Sequence, residues 1–132
     1  MKNMMEGLLP LKGNEGLVDE YFEHLFFRGE EKVLNSLRRH CNLEDCCVFD
    51  CYIGCEFAAE YSEDEEGYFG ENVVGIYYTP PVKERFCQVI LTYEEFYGYA
   101  ERKYMAYAEK HQHCKEEIAE LLEQLKKVLL KA

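Results

Sequence analysis

The chain has 132 residues with 26 Asp and Glu against 15 Lys and Arg, giving a formal net charge of -11 and a pI near 4.8. A length of this order supports one hydrophobic core, and 48% apolar residues with 11 Tyr and 8 Phe exclude a disordered chain. The acidic balance argues against RNA, DNA or an anionic membrane as a direct ligand, since these attract clustered Lys and Arg, and no apolar run is long enough to span a bilayer.

In chain order, Met1 to Pro10 carries one Lys, an early Glu6 and no apolar export segment, so the chain is expected to work in the cytoplasm. From Leu17 the apolar residues Leu17, Val18, Tyr21, Phe22, Leu25 and Phe26 recur at three- and four-residue spacing behind Asn14, an N-cap residue type, which predicts an amphipathic helix. Arg28-Gly29 supplies a stop, and Val33, Leu34, Leu37 and Cys41 predict a second helix from about Glu30 to His40.

Between Cys46 and Tyr61 the period falls to two. Cys47, Phe49, Cys51, Ile53, Cys55 and Phe57 share one face, with Asp50, Tyr52 and Glu56 on the other, which predicts one long strand. Asn72 to Thr79, closed by Pro80-Pro81, and Phe86 to Leu91 read as two further strands. Thr92-Tyr93-Glu94-Glu95 is a capping box, and Phe96, Tyr97, Ala100, Tyr104, Tyr107 and Ala108 continue a helix on one face, leaving Tyr99 toward the surface. After His111-Gln-His113-Cys114 a last helix turns Ile118, Leu121, Leu122, Leu125, Val128 and Leu129 inward. The expected fold is a single α+β domain: two N-terminal helices, a three-stranded antiparallel meander and two C-terminal helices.

The segment from Glu60 to Glu71 places six carboxylates and no cation between the first two strands. As a calcium loop it fails, because Glu65 stands where the tight turn needs Gly, position one is Glu, and strands flank it where helices should. A solvated hairpin tip needs no function. Tyr61, Tyr68 and Phe69 interleave the charges, however, and aromatic anchors among acids suit a basic protein partner. The expected partner-binding residues are therefore Glu60, Tyr61, Glu63, Asp64, Glu65, Glu66, Tyr68, Phe69 and Glu71.

The seven cysteines, at positions 41, 46, 47, 51, 55, 87 and 114, are an odd number that suggests reduced thiols more than a disulfide framework. On a strand, Cys47, Cys51 and Cys55 would stand about 13 Å apart per step of four residues, too far for one ion, and they read as buried small hydrophobes. His111, His113 and Cys114 sit where a helix ends, an ordinary place for His. No metal and no cofactor is assigned on this reading. Glycine-flanked nucleophiles and a phosphate loop are absent from the sequence, so no catalytic residue is assigned and the chain is expected not to be an enzyme. The competing function is a metal-binding or redox-sensing protein built on the cysteine cluster with His111 and His113; an acidic adaptor for another basic protein is a third.

The order of elements, the strand Val73-Val-Gly-Ile76-Tyr-Tyr78 and the helix start Tyr93-Glu-Glu-Phe96-Tyr97 resemble the ribonuclease-toxin immunity proteins of bacterial contact-dependent growth inhibition (CDI) systems, over roughly Gly54 to Leu125. The resemblance implies a cytoplasmic antidote that binds the nuclease domain of a delivered toxin, with no reaction and no cofactor of its own.

Overall fold

The computed structural model describes residues 8–44, 46–48, 53–58, 64, 72–78 and 87–130. Its elements run β1 (Leu8–Pro10), α1 (Glu15–Phe27), α2 (Glu30–Cys41), β2 (Cys46–Val48), β3 (Ile53–Phe57), β4 (Val73–Tyr78), β5 (Cys87–Thr92), α3 (Tyr93–Lys110), a 3-10 turn (Gln112–Cys114) and α4 (Lys115–Leu129). The class is α+β, as expected, and among the described residues no helix is long and apolar enough to cross a membrane.

The sheet corrects the expectation in two places. Among the described residues it has five strands in the order β1-β5-β4-β3-β2, not three. The expected antiparallel meander is present as β3, β4 and β5, but β1 joins it in parallel at one edge, with Leu9 opposite Val89. The second correction concerns the long strand from Cys46: it is a hairpin, in which β2 folds back on β3 and sets Cys46 opposite Cys55 and Val48 opposite Ile53. A period of two reads the same in one strand as in two strands joined by a reversal, so alternation alone did not reveal the turn. With it goes the argument that the cysteines are spaced out along one strand. Phe49 and Cys51 lie outside the described residues.

The β3 half keeps the expected pattern, and Ile53, Cys55 and Phe57 are buried together with Val74, Ile76, Val89 and Leu91. Cross-strand register puts these seven on one face of the sheet: Cys55 is opposite Ile76, Ile76 opposite Val89, Phe57 opposite Val74 and Val74 opposite Leu91. Helices cover that face. Phe57 is its focal point, with its ring 5.6 Å from Phe96, 5.8 Å from His40 and 6.5 Å from Tyr93, so that α2, α3 and β3 meet on one side chain. From α1, Val18, Tyr21, Phe22 and Leu25 enter the same core, and α4 packs on α2 and α3 through Ile118, Leu121, Leu122 and Leu125. Each fully buried side chain of this size contributes roughly 1.5–3 kcal/mol.

Helix ends follow the sequence closely. Gly29, at φ 102°, reverses the chain between α1 and α2 in a conformation that L side chains rarely adopt. Thr92 Oγ1 accepts from the Glu95 amide at 3.1 Å, and Glu95 Oε1 accepts from the Thr92 amide at 2.9 Å, completing the capping box. Asn14 holds the N-cap position of α1 but does not cap it; its side-chain amide donates to the Pro10 carbonyl at 2.8 Å and ties the helix to β1 instead.

Candidate functional site

The acidic segment connects β3 to β4, and Phe57 opposite Val74 fixes its two ends side by side at one end of these two interior strands. Of the expected partner-binding residues, Asp64 is described, exposed and in a turn. Glu60, Tyr61, Glu63, Glu65, Glu66, Tyr68, Phe69 and Glu71 lie outside the described residues.

What the sequence did not disclose is the cleft beside that connection. Asn72, in the left-handed region at φ 54°, leads into β4 and forms one wall; Thr92, Tyr93 and Glu94 at the start of α3 and Val128, Leu129 and Leu130 at the end of α4 form the others, enclosing about 490 Å³. The capping box thus positions Tyr93 and Glu94 beside the exit of the acidic connection. Tyr93 is half-buried against Phe57, and burial pushes its hydroxyl pKa up. Tyr99, expected toward the surface, is partly buried with the Arg102 guanidinium 4.7 Å from its ring centre.

A second corner of the molecule gathers residues far apart in sequence. Phe22, Phe26, Lys103, Tyr107, Lys110 and His111 line a groove of about 460 Å³ between α1 and α3, and Phe27 stands at its rim with 91% of its surface exposed. The His111 ring stacks on Tyr107 with centroids 3.9 Å apart and 8° between planes, and its Nδ1 is 3.0 Å from the Tyr107 carbonyl. Beside this stack, His113 Nε2 is hydrogen-bonded to the Glu30 carboxylate, and the Cys114 thiol donates to the His111 carbonyl at 3.3 Å. Burial and the nearby Glu30 carboxylate hold the Cys114 thiol pKa above its ordinary value. Glu30 was missed in the sequence because 83 positions separate it from His113.

The remaining sequence candidates separate from this group. His40 is fully buried among aromatic rings with its Nε2 3.1 Å from the Tyr21 hydroxyl, and desolvation, helped by Arg39, lowers its pKa to about 3. Cys41, next to it, donates its thiol to the Leu121 carbonyl at 3.3 Å. Cys55 is fully buried, as a small hydrophobe should be. Cys46, Cys47 and Cys87 are described in their backbone alone, which leaves a cysteine-cluster metal site without a described ligand geometry.

No curated protein and no solved structure matches this chain at a significant level. The family described as CDI immunity protein matches it over residues 14–122, from the residue before α1 to the middle of α4 and so across most of the 132 residues. That span takes in α1, α2, β2 to β5, α3 and the groove between α1 and α3, and stops short of Val128, Leu129 and Leu130 of the cleft; the chain belongs to the CDI immunity protein family.

Proposed function

We propose that this chain is a stoichiometric antidote that binds the nuclease domain of a cognate, basic ribonuclease toxin in the cytoplasm and neutralises it through the acidic connection between β3 and β4. The observation that carries the reading is the family match over residues 14–122. The charge distribution supports the chosen surface: six carboxylates without a cation lie between Glu60 and Glu71 in a chain of net charge -11. A ribonuclease presents Lys, Arg and His to the RNA backbone, and an acidic surface imitates that backbone while its field speeds association. Tyr61, Tyr68 and Phe69 supply the packing that charge alone does not. Such a protein acts by occupation and performs no reaction.

The test is to purify the toxin C-terminal domain encoded immediately upstream, titrate it with this chain and follow RNA cleavage. A one-to-one complex in which cleavage stops is expected. A toxin domain that neither binds nor loses activity would overturn the reading.

A further inference from the structure

We propose that Glu30, His113 and Cys114 form a Zn²⁺ site that ties the start of α2 to the junction of α3 and α4. Glu30 is the first residue of α2, set by the reversal at Gly29, and His113 and Cys114 close the 3-10 turn that precedes α4. The carboxylate oxygen, imidazole nitrogen and thiol sulfur all lie within 4.8 Å of one another, and among the described residues this is the grouping of three such donors that the fold assembles. In tetrahedral zinc, with metal–ligand distances of about 2.0–2.3 Å, neighbouring donor atoms stand roughly 3.5 Å apart. Side-chain adjustments on the order of 1 Å would close the site, without movement of a helix.

The donor set selects the metal. One carboxylate, one imidazole and one thiolate suit a borderline-soft ion, whereas Mg²⁺ and Ca²⁺ take oxygen ligands. A histidine–carboxylate ion pair at a helix end accounts for Glu30 and His113, and core packing accounts for a buried cysteine, but neither requires the Cys114 sulfur to stand beside that pair. Access is one-sided: the Glu30 and His113 side chains are 39% and 66% exposed, while Cys114 is buried at 4%. The ion enters from solvent and releases two protons to water, the one between His113 Nε2 and the Glu30 carboxylate and the thiol proton of Cys114, so that the imidazole binds through its Nε2 lone pair and the sulfur as thiolate. Three protein ligands leave the fourth position to a water molecule.

The test uses the full chain stripped with chelator and titrated with Co²⁺, then Zn²⁺. One equivalent of Co²⁺ should raise a thiolate-to-cobalt charge-transfer band that Zn²⁺ abolishes. Cys114→Ser should remove the band, and Glu30→Gln and His113→Gln, at solvent-accessible positions, should each weaken Zn²⁺ at least about tenfold. No band in the wild type, or a band of unchanged affinity in Cys114→Ser, would overturn the proposal, the latter by placing the metal on other cysteines. Should Cys114→Ser fail to fold by circular dichroism, the two exposed variants decide: undiminished affinity in both rejects the site.

Discussion

The carboxamide of Gln88 lies directly over Gly75 on the face of the sheet opposite the helices. A Cβ at Gly75 would stand 2.2 Å from Gln88 Nε2 and 2.5 Å from its Cδ, and Gln88 is fully buried. Its Nε2 donates to Glu56 Oε2 at 2.8 Å, while Oε1 finds no hydrogen-bond partner among the described residues. Gly75→Ala therefore has to displace a buried polar side chain, at a cost of about 1–3 kcal/mol. Urea denaturation should show a lower midpoint at unchanged slope. Adding Gln88→Ala should recover part of the loss, because the two positions share one space; strictly additive losses would show that the contact does not govern the effect.

His40 sets a pH dependence of known sign. Its pKa is 6.5 in an unfolded chain and about 3 in the fold, so between these values the unfolded state binds a proton that the native state refuses. Stability contributed by keeping His40 neutral is complete above 6.5 and is lost as pH falls toward 3. The slope from this one residue approaches about 1.4 kcal/mol per pH unit. Carboxylates add their own slopes, so the informative quantity is the difference between wild type and His40→Leu, measured by denaturation at a series of pH values. Parallel profiles would show that His40 titrates in the fold as it does in the unfolded chain and would overturn the prediction.

The helices were legible because each carries a local signal: a 3.6-residue apolar stripe with Gly29 between the first two, and the Thr92–Glu95 box before the third. The sheet was legible only in its centre. β1 has three residues, Leu-Leu-Pro, and is a strand because β5 lies beside it, which no local window contains. The hairpin of β2 and β3 kept its alternation through the reversal and so read as one strand. The site divides in the same way. The acidic connection is contiguous and stood out in the sequence, whereas Glu30 meets His113 and Cys114 only because α2 starts beside the end of α3.

The capping box fixes both the start of α3 and the wall of the cleft beside the acidic connection. Thr92→Ala removes the acceptor for the Glu95 amide and should cost about 1 kcal/mol, while Thr92→Ser, which keeps the hydroxyl, should cost much less. Thermal denaturation distinguishes the two. Equal losses in Ser and Ala variants would assign the effect to the threonine methyl group and its packing.

Phe27 separates two docking faces. With 91% of its surface exposed it contributes little to the core, and Phe27→Ser should leave stability within about 0.5 kcal/mol of wild type. If the toxin docks on the acidic connection, this variant should also bind normally. A loss of toxin affinity with the fold intact would move the interface to the groove between α1 and α3, where aromatic side chains stand ready as anchors.

Charge reversal of the acidic connection tests the proposed surface itself. Glu63, Asp64, Glu65 and Glu66 changed together to Lys should leave the fold intact, since the buried residues that bracket the connection, Ala58 and Val74, are untouched. Steering by the summed field raises association rates by about 10- to 1000-fold, so the variant should associate with the toxin at least about tenfold more slowly at low salt. Rising ionic strength should shrink that difference, because screening acts on the steering field and far less on contacts already formed. Dissociation should change less than association, in contrast to a variant that removes an aromatic anchor buried in the interface. Stopped-flow association at several salt concentrations measures both rates. Unchanged rates in the quadruple variant would remove the connection from the interface, and the one-to-one complex would then have to be held by another face, with the Phe27 groove the next surface to test.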